Sequence, residues 1–331
     1  LTKRLIRNPL FMIGFLFIAS LILLSLYHYI FMDNEIPQHG VLYNSEGKAL
    51  EAPPFSPSEK FWFGTDRTGD DLFYKIIAGA KYTLGIAFGL GVVRILLSIM
   101  FGYLLYNMSP FIKTVVQSGT EPFRYIPATL LGFFILLPVS VSTVFTVTEK
   151  TVIQLLVIVM IGVPMLSQVF KDEFIEISFK EYVSAAKIMG ASPMHIFRKQ
   201  MLPIVKPRIP ILFIQQVVQV LILLAHLGLL KIFIGGADFA ELYSGEPKYA
   251  LSTSNEWSGL IGSYFYQLPI SPWLLVFPVV FFSLSILSLN FILEGLKESR
   301  DKIGKGEVER KEVNPPKKAL EKSDFTFAQK I

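Results

Sequence analysis

The sequence predicts an all-α polytopic membrane protein with six transmembrane helices, and three observations carry that prediction. Its 331 residues are 52% hydrophobic and only 17% charged, with a mean hydropathy of +0.51, a balance that a soluble globular chain of this size would struggle to keep in solution. The apolar residues fall in long runs, and about 20 helical residues at about 1.5 Å each cross a hydrocarbon core of about 30 Å. Cysteine is absent, and the four histidines, His28, His39, His195 and His226, are scattered. Neither a disulfide framework nor a thiolate site is available, and no bound metal is expected.

The first apolar run, Leu10 to Phe31, follows Lys3, Arg4 and Arg7. It is too long for a signal peptide and lacks a small-residue cleavage site, so residues 1–31 read as a cytoplasmic start and a first anchor. Residues 32–79 form an extracytoplasmic segment carrying Asp33, Glu35, Glu46, Glu51, Glu59, Asp66, Asp70 and Asp71. Within it, Thr65 or Asp66 is expected to cap a helix beginning near Arg67. The aspartates do not have the spacing of a calcium loop.

Five further spans form a core over residues 80–296: Tyr82 to Tyr106, Tyr125 to Phe145, Val152 to Phe170, Ile209 to Leu230 and Pro272 to Leu293. Lys171, Lys180, Lys187, Arg198, Lys199, Lys206 and Arg208 crowd the connection between the fourth and fifth spans. The positive-inside rule places that connection and both termini in the cytoplasm. The sequence pI near 9.1 thus reflects charge asymmetry across a membrane and does not point to nucleic acid. Residues 297–331, with mixed charges and Pro315-Pro316, read as a disordered or loose cytoplasmic tail.

Inside the spans, Arg94 is the costliest residue, because an unpaired cation at mid-span disfavours insertion by about 2.5 to 3.5 kcal/mol. It lines a pore and meets a solute carboxylate or carbonyl, or it pairs with a neighbouring helix or snorkels. Gln215, Gln219 and His226 share one face of the fifth span, lining the same path or bonding to a partner helix. Trp257, in the following outer loop, anchors an external protein or belongs to the aromatic belt at the lipid interface. No G-x-x-x-x-G-K-[ST] phosphate loop and no catalytic elbow or zinc motif occurs, so the chain is neither an ATPase nor a hydrolase.

Between the fourth and fifth spans, residues 173–207 contain EYVSAAKIMGASPMHIFRKQMLP, Glu181 to Pro203. Good helix formers run to Met189, Gly190 bends the chain, and Ser192-Pro193 restarts a helix with serine as N-cap. The product is a helix–turn–helix knob, either a docking element or an amphipathic connector on anionic lipid. Ala185, Ala186, Gly190, Ala191, Phe197, Leu202 and Pro203 resemble the "EAA" loop by which ABC importer permeases grip their ATPases. Ser184 stands at the usual glutamate, with Glu181 one turn earlier.

Asn8-Pro9-Leu10, Phe63-Gly64-Thr65-Asp66 through Gly69 and Asp71, Trp257 to Ile261 and Asn290 to Leu296 resemble further segments of one family in its order. That family is the C-type permease of dipeptide, oligopeptide and nickel importers; Asp70 replaces its arginine. The resemblance implies a type I importer fold, a B-type permease partner, two cytoplasmic ATPase subunits holding ATP and Mg, and an extracytoplasmic binding protein. It places this chain in a bacterial-type inner membrane with no cofactor of its own and peptides as cargo. Nickel chelates or another small solute are the next reading, and a secondary transporter without an ATPase is the rival class.

Overall fold

The computed structural model describes residues 5–43, 49–240 and 249–313, with nothing to say of side chains at 49, 123, 237–249 and 301–313. Helix α1, Pro9–Phe31, starts at Asn8, whose side chain accepts from the Phe11 N–H while its amide donates to Glu298 at 3.0 Å. The Asn-Pro opening therefore both caps the first helix and ties it to the last.

Helix α2, Leu72–Asn107, begins ten residues before the expected Tyr82. Its cap is Asp71, which accepts from the Phe73 N–H, and not Thr65 or Asp66. Thr65 instead accepts from the Phe55 N–H, and Asp66 accepts from the amides of Thr68 and Asp70 within its own turn. Hydropathy missed the first turns of α2 because they lie outside the long apolar run, although Lys75 within them is buried.

The third span is a correction. Among the described residues five helices are long and apolar enough to cross a membrane, not six. In place of Tyr125 to Phe145 the chain forms α3 (Pro110–Thr120), a single turn (Pro122–Tyr125) and α4 (Ala128–Val141). Pro122 and Pro127 interrupt the backbone, since a proline ring lacks the N–H and disfavours helix at the preceding residue. The 14 residues of α4, at about 1.5 Å each, reach only about 21 Å.

Helix α5, Val147–Ser178, opens with a reciprocal Thr146–Glu149 capping box. Helix α6, Glu181–Ile188, is short, and α7 then runs from Pro193 to Leu229. Inside α7 the residues Phe197–Met201 form a π turn and Lys206–Arg208 a 3₁₀ turn. Pro203, Pro207 and Pro210 remove successive backbone donors there, and the altered winding accommodates them.

Helix α8, Trp257–Tyr264, is buried throughout, and α9 runs Trp273–Val313. Residues 297–313 of the expected loose tail are thus helical, and 314–331 lie outside the described residues. Two short antiparallel strand pairs, β1 (Leu42–Tyr43) with β2 (Ala49–Glu51) and β3 (Ala237–Ala240) with β4 (Tyr249–Ser252), add strands to a fold expected to be wholly helical.

Two apolar cores organise the helices. The larger joins α1, α2, α5, α7, α8 and α9 through residues such as Leu84, Val159, Val217, Trp257 and Leu289. The smaller joins α2, α5, α6 and α7 through Ile95, Phe174, Val183, Ile196 and Met201. Gly102 permits the close α2–α5 approach, since a Cβ there would press on Phe170 and the Ser167 carbonyl.

Candidate functional site

A cavity of about 630 Å³ lies beside the broken third span. It collects Arg94, Gln215, Gln219 and His226, the four residues expected to line a path, together with Arg124, Thr129, Gly162 and Gln216. Irregular backbone at membrane depth is tolerated where it borders a cavity or is buried in protein, which is the setting of the Pro122 to Pro127 break. Arg124, Gln219 and His226 are exposed, so the cavity opens to one face of the chain. His226 Nδ1 and Thr129 Oγ1 are hydrogen-bonded at 2.9 Å across α7 and α4.

Arg94 is only 2% exposed. Its guanidinium donates to the Ile158 carbonyl of α5 and to Gln216 Oε1 of α7 at 3.3 Å, and its Nε has no partner. Gly162 makes room for it, because a Cβ there would collide with the guanidinium. Sequence reasoning missed both companions. Gln216 interrupts an apolar run beside Gln215 and was visible as a polar residue in a span, whereas Gly162 has no signal until its neighbour is known.

The knob folds as α6, a turn at Gly190 with φ of +82°, and the start of α7. Ser192 accepts from the His195 N–H as N-cap. The motif residues divide between two sides. Glu181, Ser184, Ala185, Gly190 and Pro203 are exposed, while Ala191, Phe197 and Leu202 are half-buried. Ala186 is buried with Val183, Ile196 and Met201, and Phe197 packs on Tyr103 at 4.1 Å between ring centres and on Phe174 at 5.5 Å.

Among the exposed polar residues the outward surface carries three large apolar side chains: Ile188 is 87% exposed, Met189 80% and Phe179 79%. These three were not among the expected contact residues. Two large apolar side chains directly before a turn glycine were the available signal. Arg208 of α7 and Glu173 of α5 form an ion pair at the base of the knob.

At the other end, the Gly64-Thr65-Asp66 segment is a lock. Asp66 Oδ2 receives Lys75 Nζ at 2.5 Å and Tyr264 Oη at 2.8 Å, its Oδ1 receives Thr68, and Lys75 also reaches Asp70 at 2.7 Å. Burial alone would raise the Asp66 carboxyl, but the Lys75 ammonium and the hydrogen bonds from Lys75, Thr68 and Tyr264 outweigh it and hold it below its ordinary range. Burial, with Asp66 alongside, pushes the Tyr264 phenol well above its usual range.

Trp257 is another correction. It is 0% exposed, donating from Nε1 to the Ile76 carbonyl at 2.8 Å and from its backbone N–H to Thr83 at 2.9 Å. Neither an external partner nor lipid reaches it in this structure; its indole joins α8 to α2. Among the described residues no group of three or more His, Asp or Glu side chains is placed to hold a metal ion.

Residues 94–300 match the model of a protein family described as binding-protein-dependent transport system inner membrane component. The chain is 22% identical over 299 residues to the dipeptide transport system permease protein DppC of Alkalihalophilus pseudofirmus, covering 90% of this chain and 88% of that one. It is 24% identical over 261 residues to the oligopeptide transport system permease protein OppC of Haemophilus influenzae, covering 78% and 75%. A subunit in inward-facing crystals of the MetNI methionine ABC transporter superposes with a TM-score of 0.48 at 19% identity, over 68% of this chain and 97% of that one. With the family model spanning well over half of its length, this multi-pass chain belongs to the inner-membrane components of binding-protein-dependent transport systems, a family of transport permeases and not of enzymes.

Proposed function

We propose that this permease forms half of the pore of an ATP-driven peptide importer, paired with a B-type permease in the type I, MetI-like arrangement. Its broken third span counts there as the sixth crossing. Two cytoplasmic ATPase subunits, which hold ATP and Mg, dock on the knob, and an extracytoplasmic binding protein delivers the cargo. The knob, both termini and the tail face the cytoplasm. One observation carries this reading: the knob offers exposed Phe179, Ile188 and Met189 on a base packed into the bundle, and α7, through its π and 3₁₀ turns, links that base to the cavity-lining Gln215, Gln219 and His226.

Closure of the ATPases shifts the knob as a rigid body, and α7 carries that shift to the cavity, so the path opens alternately to the two sides. The cargo assignment follows the relatives, which are named as dipeptide and oligopeptide permeases. Gentle purification of the tagged chain from its native membrane tests the assembly. Recovery of a second permease with one or two P-loop ATPases, and ATP-dependent uptake of a labelled tripeptide by vesicles holding that assembly, are expected. Recovery of the chain alone in several detergents, or peptide uptake that ignores ATP, would sink the reading in favour of a secondary carrier.

A further inference from the structure

One buried cation among the described residues has no counter-charge. Arg94 lies near the middle of α2, is almost wholly buried, and meets only neutral acceptors, the Ile158 carbonyl and the Gln216 amide oxygen. No carboxylate forms an ion pair with it, and its Nε is without a partner. Other buried cations differ: Lys75 has Asp66 and Asp70, and Lys171 has Asp172 at 3.2 Å. Arg94 also borders the 630 Å³ cavity, whose lining includes a second cation, Arg124, and no aspartate or glutamate.

A cation held at low dielectric against neutral dipoles alone is expensive, and a counter-charge brought into its cavity offsets that cost. Low-dielectric walls of one sign focus the field and raise the local concentration of anions. A guanidinium also matches the planar geometry of a carboxylate better than a point charge does. Around it, Gln215, Gln219 and Thr129 supply amide and hydroxyl groups that bond to peptide backbone of any sequence.

We propose that Arg94 is an anion-recognition point in this cavity, which receives a free carboxylate of the passing solute and favours acids over their neutral counterparts. The proposal names the substrate chemistry of the path and rests on the permease reading above. Gly162 and Gln216 are its positioning residues: the first gives the guanidinium space and the second holds one of its nitrogens.

The chain has no cysteine, so Gln219→Cys places a single thiol in it, one helical turn from Gln216 and on the open side of the cavity. Labelling of that thiol by a sulfonate-bearing and a trimethylammonium-bearing methanethiosulfonate reagent is compared in native-membrane vesicles, each rate divided by that for a free thiol. The anionic reagent is expected to be favoured by about tenfold or more. The preference should persist in Arg94→Lys and vanish in Arg94→Met, which keeps a long unbranched side chain without the charge. Millimolar trialanine should slow labelling where trialanine amide does not.

A preference that survives Arg94→Met, or equal protection by acid and amide, overturns the proposal. Where Arg94→Met does not reach the membrane, Gly162→Ala displaces the guanidinium while keeping its charge, and an unchanged preference in that variant also overturns it. The labelling needs neither ATP nor a binding protein. It therefore fails or succeeds independently of ATP-driven uptake, which decides the permease reading.

Discussion

The lock around Asp66 and the knob around Gly190 are both short polar stretches flanked by apolar helices, yet they treat their surfaces in opposite ways. The Asp66 carboxylate takes donors from Thr68, Asp70, Lys75 and Tyr264 within the chain. Trp257 nearby is sealed by Ile76, Thr83, Phe281 and Phe282. The knob packs its inner side equally well but turns Phe179, Ile188 and Met189 outward. What is saturated inside the chain serves as scaffold, and what is left over is the surface on which the proposed docking rests.

The largest effect expected from this contrast is on the scaffold side. Lys75→Met leaves Asp66 buried beside Asp70 without their shared cation, and breaking such a pair costs about 3–5 kcal/mol. The thermal midpoint of the purified assembly in detergent should fall steeply. A midpoint within a degree or two of wild type would show that the lock does not hold the outer segment.

A double change at the knob, Ile188→Asp with Met189→Asp, should leave that midpoint nearly unmoved, since exposed substitutions change stability by about 0.5 kcal/mol or less. ATP-driven uptake should drop by about tenfold or more through lost docking. Loss of membrane insertion would make the segment a folding element instead. Ala186→Glu, by contrast, would drive a charge into the knob core beside Val183 and Met201, so its effects would mix folding with docking.

The smallest effect concerns Glu256, which stands at the N-cap position of α8, is buried and accepts from the Ser258 hydroxyl through one oxygen while the other has no partner. Burial raises its carboxyl above the ordinary 4.5, with the Ser258 hydrogen bond pulling the other way. A raised native value favours the protonated form. The stability this group contributes is therefore present below the unfolded value and is lost as pH rises through the native one. Glu256→Gln should raise the midpoint at neutral pH by about 2–4 °C and flatten its slope above pH 4.5. A lower midpoint would mean that the charged carboxylate is stabilising.

Much of this division was legible in the sequence. Apolar runs located α1, α2, α5, α7 and α9, and the Gly190 and Ser192-Pro193 signals gave the knob, because a turn glycine and an N-cap act through their nearest neighbours. The cavity set on α7 was legible too, since helical periodicity alone aligns Gln215, Gln219 and His226. The third span misled because hydropathy sums side chains and ignores the missing N–H of Pro122 and Pro127. Trp257 misled for a different reason: its place depends on Ile76, Thr83 and Phe282, which lie far away in the chain. Arg94 stood out by cost, but its seat against Gly162 required the packing of α2 on α5.

Helix α7 has a mechanical consequence of its own. Its 37 residues make a rod of about 55 Å at about 1.5 Å per residue. A tilt of about 5° at one end would carry the other through about 5 Å. Such a lever transmits displacement only as faithfully as its weakest section, which is the π turn at the base of the knob and the proline-bearing stretch that follows it. In the proposed importer, stiffness there would set the gearing between the two faces of the membrane, so substitutions between Ile204 and Pro210 would alter stroke length while leaving the motif residues Phe197, Leu202 and Pro203 and the cavity lining in place.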